Sequence, residues 1–257
     1  MTVRILVPVK RVVDPNVRVR VNTAGAIETA GLKMSLNPFD ECALEKALQL
    51  KEAGVASHVT VLTCGQPAHQ DVLRTALAMG ADDAMLIDTG AATATLDSLA
   101  VARLVAAHMK EVEYGLVLCG KQAIDGDVGG VAAMLAALLG WPQALNASAL
   151  DAAEGGWRAS CGDDAGTATW RLDGPAVVSA DLRLAEPRRV TLPSIVKAKQ
   201  KPLATREAAA FGGASDASSH VLKLTDPPVR EPGVKVDGVE ALLDALAGQR
   251  VFETVGA

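Results

Sequence analysis

Residues 114–141, YGLVLCGKQAIDGDVGGVAAMLAALLGW, run in the order of a strand, a glycine-rich turn and a helix. The run 114–119 is short and apolar, and the apolar residues after position 130 predict a helix that ends near Gly140. Four glycines and two carboxylates lie between them. Glycines at such a junction are typical of a backbone that approaches a ligand closely. The stretch therefore predicts an α/β fold with a ligand near the end of this strand.

The same order repeats along the first half of the chain. Strands are predicted at 3–9, 57–64, 83–89 and 114–119, and helices at 37–54, 67–80, 96–112 and after position 130. Parallel strands need crossover connections, so the alternation predicts a doubly wound, mostly parallel, Rossmann-like sheet of the adenine-nucleotide-binding kind. Ligands in such sheets lie beyond the carboxyl ends of the strands. Pro8, Cys64 and the 120–130 loop should share that edge, and Asn37, the predicted N-cap of the first helix, is a candidate to join them.

The alternation of strands and helices ends at about residue 145. Short strands at 156–161, 167–172 and 175–180 are separated by turn residues and predict a small antiparallel addition to the sheet. Beyond 181 the chain is rich in proline and lysine and has too few apolar periodic segments for a second core, apart from a final helix at 238–248. We expect a nucleotide-binding domain over 1–180 and an extended recognition loop and C-terminal arm over 181–257.

Composition excludes several classes of protein. The formal net charge is −5 and the bases form no stripe, which argues against a nucleic-acid or anionic-membrane surface. The four cysteines and four histidines are scattered without metal-ligand spacing. No apolar run reaches the about 18 residues of a membrane helix, and the N-terminus enters a strand at once. These features predict a soluble intracellular protein without membrane insertion. The chain has only seven aromatic residues, so few aromatic side chains are available to pack against a flat redox ring.

Phosphate-loop motifs of ATP-dependent proteins are absent. The run GLVLCGK at 115–121 has the spacing of a Walker A loop, but Gln122 stands where Ser or Thr would hold Mg²⁺, and the spacer is a strand. No GxGxxG follows the first strand, where VPVKRVVDP stands instead.

The acidic loop can nevertheless hold a phosphate through its backbone. N–H groups around Gly126, Gly129 and Gly130 and the start of the next helix need no side-chain charge to do so. Asp125 and Asp127 would then cap the helix or accept hydrogen bonds from ribose hydroxyls. A capped helix start without any ligand is the alternative.

Six blocks carry a resemblance across nearly the whole chain. In order they are VPVKRVVD, SLNPFDECALEKALQLKE, RTALAMGAD, GKQAIDGD, PAVVSADLRLAEPRRVTLPSIVKAKQKPL and DPPVREPGVKV. The chain resembles the β subunits of electron-transfer flavoproteins. The resemblance implies a heterodimer with an α subunit that holds most of the redox FAD, while the β subunit buries a structural AMP. It also implies an electron carrier without catalytic side chains of its own.

The resemblance assigns cofactor-binding positions residue by residue. They are Pro8, Asn37, Pro38, Phe39, Asp40, Cys64, Gly120, Lys121, Gln122, Ala123, Ile124, Asp125, Gly126, Asp127, Val128, Gly129, Gly130 and Val131. Phe39 would face the flavin, although packing of the first helix is an equal alternative on the residues alone. The chain departs from the family at Val131, where relatives often have Thr, at Pro15, where many have Tyr, and at Gly162, where some have Glu.

The resemblance also assigns partners. Leu192, Pro193, Ile195, Lys197 and Lys199 lie in the family's recognition loop for acyl-CoA dehydrogenases, with Leu192 as the apolar anchor. A solvated basic loop with Leu192 tucked under it is the alternative. Electrons would pass on to a flavoprotein-quinone oxidoreductase, as in fatty acid β-oxidation. The expected compartment is the bacterial cytoplasm, or the mitochondrial matrix in a eukaryote. An electron-bifurcating β subunit with a second FAD and a free-standing adenine-nucleotide sensor are the two rival functions.

Overall fold

The computed structural model describes residues 2–22, 25–90, 96–213 and 221–248. Nine strands form one sheet, and two short strands form a second. In chain order the strands are β1 (Val3–Pro8), β2 (Arg11–Val13), β3 (Met34–Leu36), β4 (Ala56–Gly65), β5 (Asp83–Asp88), β6 (Leu116–Gly120), β7 (Gln143–Ala153), β8 (Gly156–Asp163), β9 (Gly166–Asp173), β10 (Ala176–Ala180) and β11 (Leu203–Glu207).

Six α-helices accompany these strands in the described ranges. They are α1 (Pro38–Glu52), α2 (Gln70–Met79), α3 (Ser98–His108), α4 (Val131–Leu139), α5 (Leu192–Ala198) and α6 (Val239–Ala247), with 3₁₀ turns at Pro67–His69 and Ala208–Phe211. The predicted helices of the first half and the final helix are thereby confirmed. None of the described helices is long and apolar enough to cross a bilayer.

The large sheet has the order β11-β5-β4-β1-β6-β10-β7-β8-β9. Every pair from β11 to β7 is parallel, and β7-β8 and β8-β9 are antiparallel. This order confirms the doubly wound, mostly parallel sheet with an antiparallel addition. The carboxyl ends of β4, β1 and β6 are therefore neighbours at one edge.

Helices cover both faces of the parallel part, which explains its strand sequences. Ile5, Leu6 and Val7 in β1 are all fully buried, as expected of a central strand with helices above and below. One core cluster joins the sheet to α1 and α2, through side chains such as Leu44 and Leu73. The other joins it to α3 and α4, through Leu104 and Leu135 among others.

Three features of the second half differ from the sequence prediction. β10 is parallel to β6 and β7, not antiparallel, because it enters the interior of the sheet. β7 was not predicted. β11, also not predicted, adds a parallel strand beside β5. All five residues of β10, including the polar Ser179, are buried, as expected of an interior parallel strand.

The segment after residue 181 contains both regular secondary structure and irregular chain. The predicted recognition loop contains the short helix α5, and β11 belongs to the sheet, whereas 221–236 has no regular secondary structure and is almost wholly exposed. The division at residue 180 stays a prediction. Residues 214–220 and 249–257 of the predicted arm lie outside the described residues.

Candidate nucleotide site

The predicted site residues meet at the carboxyl ends of three neighbouring strands. Pro8 ends β1, Cys64 is the penultimate residue of β4, and Gly120 ends β6. The loop 121–130 continues from β6 across this edge, and the first turn of α1 lies against it. The structure thus brings the predicted positions from four parts of the chain into one place.

Asn37 ties the first helix to the glycine-rich loop. Its Nδ2 donates a hydrogen bond to the carbonyl of Gln122 at 2.8 Å, and its Oδ1 accepts one from the N–H of Ile124 at 3.2 Å. The side chain is 1% exposed. Asn37 does hold the N-cap position of α1, but its side chain makes no capping bond there. Nδ2 and Oδ1 each bond the loop instead, so the residue organises the site from 85 residues away.

We expect Asn37→Ala to loosen this loop. The partly buried carbonyl of Gln122 and N–H of Ile124 would each lose a partner, which lowers the free energy of unfolding by about 1–3 kcal/mol. Urea unfolding and the adenine nucleotide content of the purified protein measure the effect. Asn16→Ala is the matched control, because its side chain bonds Asp14 and, among the described residues, makes no hydrogen bond to the loop. Equal losses in both variants would contradict the tether.

Asp40 joins the ends of β1 and β6. Its buried carboxyl group accepts the N–H of Lys10 at 2.7 Å and the N–H of Gly120 at 3.1 Å. A side chain at position 120 would not fit, because a Cβ there would lie 2.2 Å from Oδ1 of Asp40. Gly120 is therefore required by the close approach of α1. Asp40 was predicted only as one of the cofactor-binding positions that the resemblance implies.

Burial raises the pKa of Asp40 from 3.8 to about 7, although the hydrogen bonds from Lys10, Asn37 and Gly120 favour the charged form. Because the folded pKa lies above the unfolded one, the folded state binds the extra proton, and stability falls as the pH rises through 7. Between pH 6 and 8 the loss is about 1.4 kcal/mol. Urea unfolding at both pH values should show this loss, and Asp40→Asn should abolish it. A loss that persists in the variant would assign the effect to another group.

The two loop carboxylates do not cap α4. Asp125 forms an ion pair with Lys10, Nζ to Oδ1 at 2.7 Å, and Asp127 accepts a hydrogen bond from Gln122 Nε2 at 2.8 Å. The N-cap of α4 is Gly130, and no side chain caps the helix. The capping alternative for these carboxylates is therefore wrong. The sequence analysis did not assign Lys10 to the site, although its place directly after β1 could have indicated it.

The start of α4 keeps backbone donors available. The first N–H groups of a helix, here those of residues 131–133, have no intrahelical acceptor. Gly129 has a φ of +63°, and a Cβ there would lie 3.1 Å from the carbonyl of Lys121. Gly126 lies in the exposed part of the loop, and a Cβ there would meet no atom within 4 Å. Uncapped donors beside an open, glycine-rich loop fit a phosphate that is held by main-chain atoms.

The thiols near this edge are unreactive. Burial raises the pKa of Cys64 to about 12 and that of Cys42 to about 11, so both are neutral thiols. The described residues contain no cluster of His, Cys, Asp and Glu that could hold a metal ion. Among the described residues the site offers binding groups and no activated nucleophile.

A groove with a volume of about 440 Å³ lies beside the first turn of α1. Its lining includes Pro38, Glu41, Cys42, Leu182, Arg183 and Pro187. Phe39, half-buried, is the next residue after Pro38. Position 162 faces Arg183, since a Cβ on Gly162 would lie 3.4 Å from the guanidinium. Phe39 and Asn37, which bonds the nucleotide loop, thus both lie at the start of α1.

The predicted recognition residues lie on α5, with Lys199 at its C-cap. Leu192 is 80% exposed, Val196 59% and Ile195 43%, and Pro193, Lys197 and Lys199 are exposed as well. Thr191 caps the helix by accepting the N–H of Ser194. The alternative in which Leu192 is tucked beneath a basic loop does not hold. A helix with exposed apolar side chains and nearby cations has the composition of a docking surface.

Comparison with known proteins relates the chain to one family. The family profile "Electron transfer flavoprotein domain" matches residues 24–211. The electron transfer flavoprotein subunit β of Bradyrhizobium diazoefficiens is 47% identical over 247 residues, which are 96% of this chain and 98% of that protein. The protein of the same name from Homo sapiens is 42% identical over 95% and 96% of the two chains. The mitochondrial one from Arabidopsis thaliana is 41% identical over 96% and 98%.

Proposed function

The chain belongs to the electron transfer flavoprotein family as a β subunit, and from this premise we propose that it binds a structural AMP and positions an FAD held mainly by an α subunit. It would accept electrons from acyl-CoA dehydrogenases during fatty acid β-oxidation and pass them to a flavoprotein-quinone oxidoreductase. The name of the family already implies an electron carrier with an α partner. The AMP, the FAD contacts and the redox partners are the proposed part.

The observation that carries the AMP proposal is the loop held by Asn37 beside an uncapped α4. The phosphate would lie against the N–H groups of Gly129, Gly130 and Val131. The ribose would lie near Asp127, whose carboxylate accepts a hydrogen bond from Gln122. The base would lie toward Pro8 and Cys64, whose neutral thiol adds an apolar wall. AMP supplies no chemistry here and stabilises the loop.

The groove beside Pro38 supports a role in placing the FAD. The flavin supplies the electron chemistry when it is bound. This chain would contribute the half-buried ring of Phe39 and the groove wall formed by Leu182 and Arg183. No acid, base or nucleophile of this chain is needed for electron transfer. Its residues orient the ring and exclude water.

Exposed apolar side chains support the proposed protein contacts. In the tail, Leu222 and Val229 are each 96% exposed, and Leu242 and Leu243 of α6 are about half exposed. An isolated chain seldom leaves so many apolar residues in water, so an α subunit would cover this arm. The exposed face of α5 would remain for the dehydrogenase. Because relatives are bacterial and mitochondrial, the proposed compartments are the bacterial cytoplasm and the mitochondrial matrix.

Cofactor content of the complex tests the proposal. The chain is co-expressed with its α subunit, purified through a tag on the β subunit and extracted with acid, and nucleotides are separated by chromatography. We expect one AMP and one FAD per heterodimer. Two FAD molecules and no AMP would identify the bifurcating type. A colourless chain that purifies without a partner would exclude both flavoprotein functions and favour the free-standing nucleotide sensor.

A further inference from the structure

The helix α5 is too short and too exposed to be stable by itself in a fixed orientation. It has seven residues, and an isolated helix of that length is unstable in water. Only Ala198 is buried, while the apolar side chains of Leu192, Ile195 and Val196 point outward. Burial of its own apolar face therefore does not decide its orientation.

Two cations bind α5 and α2 to each other reciprocally. Nη1 of Arg74, on α2, donates hydrogen bonds to the carbonyls of Ala198 at 2.9 Å and Lys201 at 3.1 Å, at the end of α5. Nζ of Lys201 donates to the carbonyls of Leu77 at 3.0 Å and Ala81 at 2.6 Å, at the end of α2. The last carbonyls of a helix lack intrahelical donors and favour a positive charge. Arg74 of α2 thus bonds carbonyls at the C-terminal end of α5. Lys201, just beyond α5, bonds carbonyls at the C-terminal end of α2.

The chain that leads into α5 is anchored as well. The guanidinium of Arg188 bonds both carboxylate oxygens of Glu45 on α1, at 2.8 and 2.9 Å, and Glu52 at 2.6 Å. Burial alone would raise the pKa of Glu45, but the hydrogen bonds and charge of Arg188 outweigh it and hold the pKa below its usual value. Downstream, the carbonyl of Pro202 accepts the N–H of Ala84, and β11 follows. Residues 189–197 are therefore held at both ends, and Leu192 lies between the anchors.

We propose that Arg74 and Lys201 are positioning residues for docking: their reciprocal capping fixes the orientation in which α5 presents Leu192 to a redox partner. The inference rests on the proposed docking function of α5. A partner that meets a preorganised helix does not have to order it on binding, so affinity depends on residues that the partner never touches. Arg74 begins the block RTALAMGAD at 74–82, which has no residue at the nucleotide site. The proposal gives this block a role in positioning α5.

The first measurement needs no redox partner. Amide hydrogen exchange of the α/β complex is compared for the unchanged protein, Arg74→Met, Lys201→Met and Arg171→Met. Arg171 on β9 is a matched control, because it also bonds a backbone carbonyl and a neighbouring side chain, and β9 lies at the opposite end of the sheet from β11, the strand that follows α5. We expect exchange in 192–199 to accelerate at least tenfold in the Arg74 and Lys201 variants only. Unchanged exchange in this segment would overturn the capping role.

The second measurement separates docking from folding. For Arg74→Met we expect KM for an acyl-CoA dehydrogenase to rise about tenfold, with unchanged kcat at saturation, FAD content and reduction by dithionite. Arg74→Lys should restore part of the loss. In a Leu192→Ala background, Arg74→Met should add little, because both act through one contact. Additive losses, or a normal KM despite accelerated exchange, would overturn the inference. No effect of Leu192→Ala itself would instead refute the docking function.

Discussion

Gly120→Ala is expected to lower the unfolding free energy of the chain by about 3 kcal/mol and to release the bound nucleotide, because there is no space for a methyl group. The new Cβ would lie 2.2 Å from Oδ1 of Asp40 and 2.9 Å from both the Asp40 nitrogen and the Phe39 carbonyl carbon. Relief requires the first turn of α1 to move away from β6. That movement would break the hydrogen bonds from Gly120 and Lys10 to Asp40 and displace Asn37 from the loop.

Gly126→Ala is the matched control for this prediction. It lies in the loop that follows Gly120, and a Cβ there would meet no atom within 4 Å. Urea unfolding and nucleotide content should therefore hardly change. Adding Asp40→Ala to Gly120→Ala removes the shortest contact and leaves the two backbone contacts, so stability should recover in part. Equal stability of Gly120→Ala and Gly126→Ala would show that α1 is free to move away from the loop.

Leu192→Ala is expected to raise KM for reduction by an acyl-CoA dehydrogenase by a factor on the order of 10–100, the range of a binding hot spot. Leu192 is 80% exposed, so its truncation removes little packing within the chain. AMP content, FAD content and unfolding free energy should stay unchanged. Stopped-flow or steady-state reduction of the complex by the dehydrogenase measures the effect.

Leu138→Ala controls for the loss of an exposed leucine. Leu138 lies on α4, is 48% exposed and belongs to no proposed docking surface. Its substitution should leave transfer kinetics unchanged. Unchanged kinetics in Leu192→Ala would refute the anchor role of Leu192 and leave α5 without a function in electron transfer.

Local patterns predicted much of the fold. β1, β5 and β6 each carry a continuous apolar run, and β4 is rich in β-branched and apolar residues. Turns or helix starts separate these strands, so their number and parallel arrangement follow from near neighbours in the chain. The exposed position of Leu192 was implied by the family resemblance and is confirmed. β10 was harder, because a short apolar run has the same pattern in a parallel as in an antiparallel sheet.

The amino-acid sequence by itself determined the doubly wound sheet, the glycine-rich turn at the end of β6 and the membership of a family, because each depends on patterns that neighbouring residues carry. Only the tertiary structure decided what individual side chains bind. Asn37 serves a loop 85 residues away instead of capping its own helix, and Arg74 caps a helix 124 residues further on. Hydrogen bonds of this kind depend on distance in space, and the folded packing of α1, α2 and the sheet sets that distance.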